Sequence, residues 1–393
     1  MDEAEQEVEN QHLLPPLEAL KKASKNLQSN PISIIYNNYD ISTAIEALLE
    51  LGTKADPVIS IDPSLFKLNQ LLSNLKTLFE KLEKLQGYGL RSLLHRQITN
   101  YKISQIGYAM EAEIQAYVDQ KNVQSFVKTM EESVEDDKKV KALMGLENRL
   151  GQGFDKQYQQ LILRAKVFSF LEFMVCDSKF SNWVRDQAAL AVLGLVKFNK
   201  DVFVGLVLMG PIVRALIQMG SSCSIQVLTG LVKIIRTPLV DDINGEIPRI
   251  ISLLGSEDLS TKAAAMNCLL EIAILGREEV IGLMLEEDLI KKLMGVQRLE
   301  VGLQSNEDEN GSVCAEEREP KMEESVEKFP FSRCVASFAV QVEVGEGLEQ
   351  GEKRAFKLEI LKRVREASVS DAEAATVVAE VLDYVSVVDR CTC

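Results

Sequence analysis

Between Leu161 and Val296 apolar residues recur at intervals of three and four, the spacing of helices that bury one side, and the pattern itself recurs. One segment runs from Val184 through Ala188-Ala189-Leu190-Ala191-Val192-Leu193-Gly194-Leu195, breaks at Asn199-Lys-Asp201 and resumes at Gly210-Pro-Ile212-Val213-Arg214-Ala215-Leu216. A second runs from Ile225 through Leu231, a Pro/Asp/Asn loop and Gly245-Glu-Ile247-Pro248-Arg249, closing on Gly255-Ser256. A third, more divergent, runs from Thr261 through Ala273 and then Asp288-Leu289-Ile290-Lys291. Ile212, Ile247 and Leu289 hold matching places at spacings of 35 and 42 residues, within the range of two- and three-helix solenoid repeats. A unit of this size cannot bury its apolar side alone, so the units are expected to stack on one another.

Helical signals extend on both sides. Leu13 to Leu27 is amphipathic; Asp40 is placed to cap a helix over residues 41–51; Asp62-Pro63 opens another in which Leu65, Leu68, Leu72, Leu75, Phe79 and Leu82 step by three and four. Leu71, Leu78 and Leu85 add a second stripe, which places that helix between neighbours. Arg91 to Asp119 reads as a long helix with Leu94, Ile98, Tyr101, Ile106, Met110, Ile114 and Tyr117 in register, followed by a more charged stretch from Val123 to Leu150. Gly151-Gln-Gly153 is the expected hinge, and Leu161 to Met174 the first solenoid helix. Beyond the repeats, Val335 to Val342 reads as helix, since a lone strand would have no sheet to join. Ser370 to Glu373 has the form of a capping box for a last helix. The domain plan is an acidic disordered segment over 1–11, a helical bundle over 12–150, repeats over 154–304, an acidic disordered linker over 305–328, a helical segment over 329–388 and a tail over 389–393. The linker holds nine Asp or Glu against three Lys or Arg.

The first unit, "VRDQAALAVLGLVKFNKD" followed by "GPIVRALI", resembles an armadillo repeat. A helical bundle ahead of a few such units resembles a group of plant armadillo-repeat proteins. The resemblance implies an all-α fold, an armadillo-like superhelix after an N-terminal bundle. It also implies work by binding: the second helix of each unit carries the small and leucine positions, and the third lines a concave groove for partners. On that reading "IVRALIQM", "IPRIISLL" and "LIKKLMGV" are third helices, and Arg214, Arg249 and Lys291, each two residues past a matching apolar position, form a basic strip in the groove suited to a protein partner with an acidic segment. Trp183 lies at the front of a second helix and reads as a packing anchor.

Composition narrows the classes. A net charge of -15 argues against sequence-independent nucleic-acid binding, which needs a basic surface that the chain lacks overall. The acidic N-terminus is no signal peptide, and no run approaches the roughly 18 apolar residues of a membrane span, so a cytoplasmic or nuclear protein is expected. Cys176, Cys223 and Cys268 fall on apolar stretches as small core fillers, and the two His, His12 and His95, stand far apart, giving no zinc spacing and no cofactor site. No nucleophile, metal or phosphate motif is present. The expectation is a non-enzymatic interaction scaffold. The alternatives are a component or substrate adaptor of a ubiquitin ligase, although no U-box is visible, and an Hsp70 nucleotide exchange factor. The Cys391-Thr-Cys393 ending reads as an incidental tail.

Overall fold

In a computed structural model the described residues are 15–25, 45–50, 52–53, 63–84, 90–308 and 331–391, and among them there are helices and no strands. Asp40, Gly87-Tyr-Gly89, the acidic N-terminus and most of the acidic linker lie outside the described residues. The chain divides into two compact units, one comprising Met1–Lys128 with Asp155–Ala165, the other Thr129–Phe154 with Lys166–Cys393.

The first unit contains α1 (residues 15–25), α2 (residues 45–50), α3 (Phe66–Lys84), most of α4 (Leu90–Glu132) and α6 (Lys156–Arg164). Its core gathers Leu17 and Leu20 from α1, Ile45 and Leu48 from α2, Leu68, Leu75 and Phe79 from α3, and Ile103, Met110, Ile114 and Tyr117 from α4. Each such side chain contributes about 1.5–3 kcal/mol by leaving water. Leu71, Leu72, Leu78 and Leu82 of α3 pack half-buried around this core, as expected of a helix with neighbours on more than one side. Lys67 on α3 pairs with Glu113 on α4 at 2.5 Å, but Lys67 is exposed, so this contact adds little.

Three expectations change here. The long helix does not stop near Asp119: α4 runs unbroken to Glu132, because Val123 and Phe126 continue its buried row. Leu94, Ile98 and Tyr101, expected in register with Ile106, Met110, Ile114 and Tyr117, form a separate outward row and are more than half exposed. The run from Leu161 to Met174 is two helices, α6 and α7 (Val167–Cys176), separated where Lys166 adopts a left-handed φ of 51° that no helix can carry through.

The second unit begins with α5 (Asp136–Leu150), whose first turn holds Asp136 and Asp137, where negative charge favours the helix N-terminus. This helix packs on α8 (Asn182–Phe198), so the compact repeat unit starts before the Gly151 turn rather than after it. The row continues in chain order: α8 packs on α11 (Ser222–Ile235), α11 on α14 (Leu259–Leu275), and α14 on α17 (Cys334–Val344). Beside it stands a second row. There α7 packs on α8, α10 (Ile212–Met219) on α11, α13 (Ile247–Ser252) on α14, and α16 (Leu289–Asp308) on α17. Short helices α9 (Lys200–Met209), α12 (Thr237–Asp242) and α15 (Glu278–Glu286) connect the rows, giving three helices per repeat. Ile212, Ile247 and Leu289 are each wholly buried at the start of a second-row helix, which is why the period was visible at those positions.

Local chemistry sets the repeat boundaries. Ser181, Ser221 and Asp258 each stand one residue before a first-row helix and accept hydrogen bonds from backbone N–H groups of its first turn. Gly220, at φ 60°, ends α10 in the left-handed conformation that a side chain would strain, and this turn delivers Ser221 to its cap. Ser221 also donates to Asp186 Oδ1 at 2.7 Å, tying one repeat's cap to the preceding helix α8. Small residues admit large ones between helices: a Cβ on Gly194 would lie 3.3 Å from Leu150 Cδ1, and one on Gly230 only 2.9 Å from Leu193 Cδ2.

α17 is a helix, as expected, and is followed by α18 (Gln350–Ala367) and α19 (Asp371–Cys391), which pack on it and on each other. The loop between α17 and α18 lies on the C-terminal end of α14. There Glu346 N–H donates to Ile274 O at 2.7 Å, and a Cβ on Gly347 would stand 2.2 Å from Gly276 O, a distance that only glycine avoids. Arg298 on α16 reaches across to Glu373 and to Ala367 O, holding the ends of α18 and α19. Ser370 Oγ accepts from Glu373 N–H at 3.2 Å, while Glu373 accepts from Val369 N–H at 2.7 Å, a capping box displaced by one residue. Residues 305–308, assigned to the linker, form the last turn of α16, and residues 389–391, assigned to the tail, end α19. In both places the helix continues past the last strongly apolar position.

Candidate functional site

The first row buries its apolar sides against the second row and against its own neighbours, leaving one side of each long helix open. On this side α8 presents Trp183 and Lys197, both exposed, with Gln187 and Leu190 half-buried; α11 presents the exposed Gln226 and Lys233; α14 presents the exposed Asn267 with Leu270, Glu271 and Ile274 half-buried. A shallow depression of about 340 Å³ lies on this side, where α11, α14 and α17 meet. Its polar groups are Gln226, Thr229 and Lys233 from α11, Asn267 and Glu271 from α14, and Gln341 from α17. Lys233 Nζ and Glu271 Oε1 are 3.0 Å apart, so the two charges offset each other across the helix junction.

Three amides and one balanced ion pair make a surface that both donates and accepts hydrogen bonds. The hydroxyl of Thr229 is turned away, donating to Ile225 O at 2.8 Å within its own helix. Behind the depression lies Cys268, fully buried, its thiol pushed up to about 12 chiefly by that burial. Burial, and then the charges of Asp186 and Glu147, push the half-buried Cys223 up to about 11, and burial raises Cys176 as well. These thiols are protonated at neutral pH and are poor nucleophiles. Among the described residues no group of three His, Cys, Asp or Glu is placed to hold a metal ion, and no single helix is long and apolar enough to cross a membrane.

The basic strip lies elsewhere. Arg214, Arg249 and Lys291 are all exposed, each two residues past a buried matching position, on α10, α13 and α16 of the second row. Arg214 Nε is 3.2 Å from Glu246 Oε1, so one of the three cations already has a counter-charge. The depression is built by the other row, the long helices carrying the small and leucine positions. Trp183 likewise is no packing anchor: it is 54% exposed at the N-terminus of α8. Gln226 and Asn267 were passed over in the sequence, although each is a lone polar residue inside an apolar run, Ile225-Gln-Val227 and Met266-Asn-Cys268. An uncompensated polar residue in a helix interior marks a position that faces water.

No protein-family profile and no curated protein match the chain. Among solved structures it is similar to designed armadillo repeat proteins and to engineered proteins. A designed armadillo repeat protein, YIII(Dq)4CqI, superposes with a TM-score of 0.41 at 14% identity, covering 67% of this chain and 99% of that one. A second design, described in complex with the peptide (KR)4, gives 0.39 at 16% identity, covering 67% and 98%. An engineered protein gives 0.39 at 15% identity, covering 94% and 95%. The chain is an all-α protein whose second unit is a stacked three-helix repeat.

Proposed function

We propose that this chain is a non-enzymatic scaffold or adaptor whose first helical row, α8, α11, α14 and α17, holds an extended segment of a partner protein in the cytoplasm or nucleus. The observation that supports the reading is the succession of amides on adjacent helices, the exposed Gln226 and Asn267 and the half-buried Gln341, around one depression. Amide side chains can pair with both the N–H and the C=O of a peptide backbone. Packed helix axes lie about 8–10 Å apart, and an extended chain rises about 3.3 Å per residue, so about three residues of an occupant pass each helix. Trp183, exposed at the α8 end, offers the large amphipathic side chain that anchors many interfaces.

The test begins with affinity purification and mass spectrometry, followed by affinity measurement with the purified partner. Gln226→Ala/Asn267→Ala should weaken binding about tenfold or more, each amide contributing about 1 kcal/mol. Arg249→Glu/Lys291→Glu, on the second row, should leave it within about twofold. The reverse outcome would transfer the site to the basic strip and to a partner with an acidic segment. Enrichment of ubiquitin-conjugating enzymes or of Hsp70 would identify the adaptor with a ligase or with an exchange factor.

A further inference from the structure

Helix α4 carries two apolar rows. The inner one, Ile103, Met110, Ile114 and Tyr117, belongs to the core of the first unit. The outer one consists of Leu94, Ile98, Tyr101 and Tyr108, which are 59, 54, 66 and 58% exposed, with Gln105 among them and Ala112 beyond, both exposed. Read in order, these six positions are separated by 4, 3, 4, 3 and 4 residues. That is the 3.5-residue repeat of a seam facing another helix, narrower than the band by which a helix rests on a globular core.

Up to Tyr108 the charge beside the row is one-sided, and Glu111 and Glu113 flank only its last position, Ala112. From Leu90 to Met110 the sequence contains Arg91, His95, Arg96 and Lys102 and no Asp or Glu, in a chain of net charge -15. Arg91, His95 and Lys102 are exposed along the same side as the apolar row. A second copy of this helix is a poor occupant, because pairing two such rows brings their cations together without a counter-charge. A bilayer is poorly matched too: the row is one side chain wide, with the exposed polar Gln97 and Lys102 beside it, whereas a helix lying in a membrane surface needs a broad apolar face.

We propose that this row is a docking seam for an amphipathic α-helix of a partner protein, with apolar residues at alternating three- and four-residue intervals and Asp or Glu beside them. From Leu94 to Tyr108 the seam is about 21 Å long at 1.5 Å per residue, room for about four turns of the partner. Gln105, the polar member in mid-row, fixes the register, as single polar seam residues do. The seam belongs to the first unit and is independent of the α8–α17 row.

The test uses the full chain and two fluorescein-labelled helical peptides, each of about 20 residues with Leu at the seam positions. One carries Glu at the flanks and the other Lys. Fluorescence anisotropy at low salt should show saturable binding of the Glu peptide at least about tenfold tighter than the Lys peptide, the gap shrinking near 0.5 M salt as screening sets in. Ile98→Asp/Tyr101→Asp should abolish binding with an unchanged far-UV circular dichroism spectrum, since both side chains are already in water. Gln226→Ala/Asn267→Ala should leave it unchanged, which separates this seam from the first-row site. The proposal is overturned by absence of saturable binding, by equal binding of the Lys peptide, or by binding that survives Ile98→Asp/Tyr101→Asp. It is equally overturned by a dimer in sedimentation that Ile98→Asp dissolves, or by anionic phospholipid vesicles displacing the Glu peptide.

Discussion

The contact between Leu193 and Gly230 allows the stacking of repeats to be tested through a change of sign. Leu193, 9% exposed, projects from α8 onto the bare backbone of Gly230 in α11. A Cβ on Gly230 would lie 2.9 and 3.0 Å from the two Leu193 methyl carbons and 3.6 Å from its Cγ, and those are its nearest neighbours. Gly230→Ala gains about 1 kcal/mol of helix propensity but costs about 1–3 kcal/mol by overpacking, so the net effect is a loss of up to about 2 kcal/mol. Leu193→Ala alone costs about 2–5 kcal/mol in lost burial and cavity. In the Leu193→Ala background the obstruction is gone, and Gly230→Ala should then stabilise by about 1 kcal/mol, from propensity and partial filling of the cavity. The coupling between the two sites is thus about 1–3 kcal/mol. In a unit of this size each kcal/mol shifts Tm by about 2–4 °C. Trp183 is the chain's single tryptophan and lies at the start of α8, so its emission follows the repeat unit without interference from the first. If Gly230→Ala shifts Tm in the same direction in both backgrounds, Leu193 does not sit over Gly230 and the stacking of α8 on α11 is mistaken.

The remaining expectations are more local. Gly347→Ala should loosen the C-terminal helices, because its Cβ would overlap Gly276 O; hydrogen exchange should rise in α17–α19 while α8 stays protected. Asp258 is held at about 2, first by the Thr261 hydroxyl and then by Ser260, so its folded value lies below the ordinary one near 3.9. Its cap contribution is therefore complete above about pH 4 and is lost as pH falls toward 2; the Tm difference between wild type and Asp258→Asn should vanish over that interval. With Cys314, Cys334, Cys391 and Cys393 replaced by Ser, native labelling at pH 8 by a disulfide reagent should leave Cys268 unmodified, because its thiol is fully buried and that burial pushes it up to about 12. Arg298→Ala should let the Glu373 carboxyl rise toward its ordinary range, since the Arg298 hydrogen bond is the main cause of its lowering; an NMR titration would follow this.

Much of the architecture was legible along the chain. Helical period, caps such as Ser370, and the recurrence of Ile212, Ile247 and Leu289 are properties of neighbouring residues, and local backbone physics turns them into helices and repeats whatever lies around them. The helical rather than extended state of Val335–Val342 followed from the same logic, for no other strand was available. Where the lone amides Gln226 and Asn267 would lead was written in their apolar surroundings, yet only stacking placed them around one depression with Gln341, which is 74 residues beyond Asn267. The left-handed turn at Lys166 has no sequence signal that we can identify.

What the sequence by itself determined is that residues share a face: Leu94, Ile98 and Tyr101 do, as do Ile106, Met110, Ile114 and Tyr117. Only the tertiary structure decided which face meets a neighbour and which meets water, and likewise that the depression belongs to the long first-row helices rather than to those bearing Arg214, Arg249 and Lys291. The physical reason is that periodicity measures rotation about a helix axis, whereas burial depends on how many helices surround that axis and on which sides. Those neighbours are supplied by residues far away in the chain, so the same three-and-four spacing that buries Met110 leaves Tyr101 exposed.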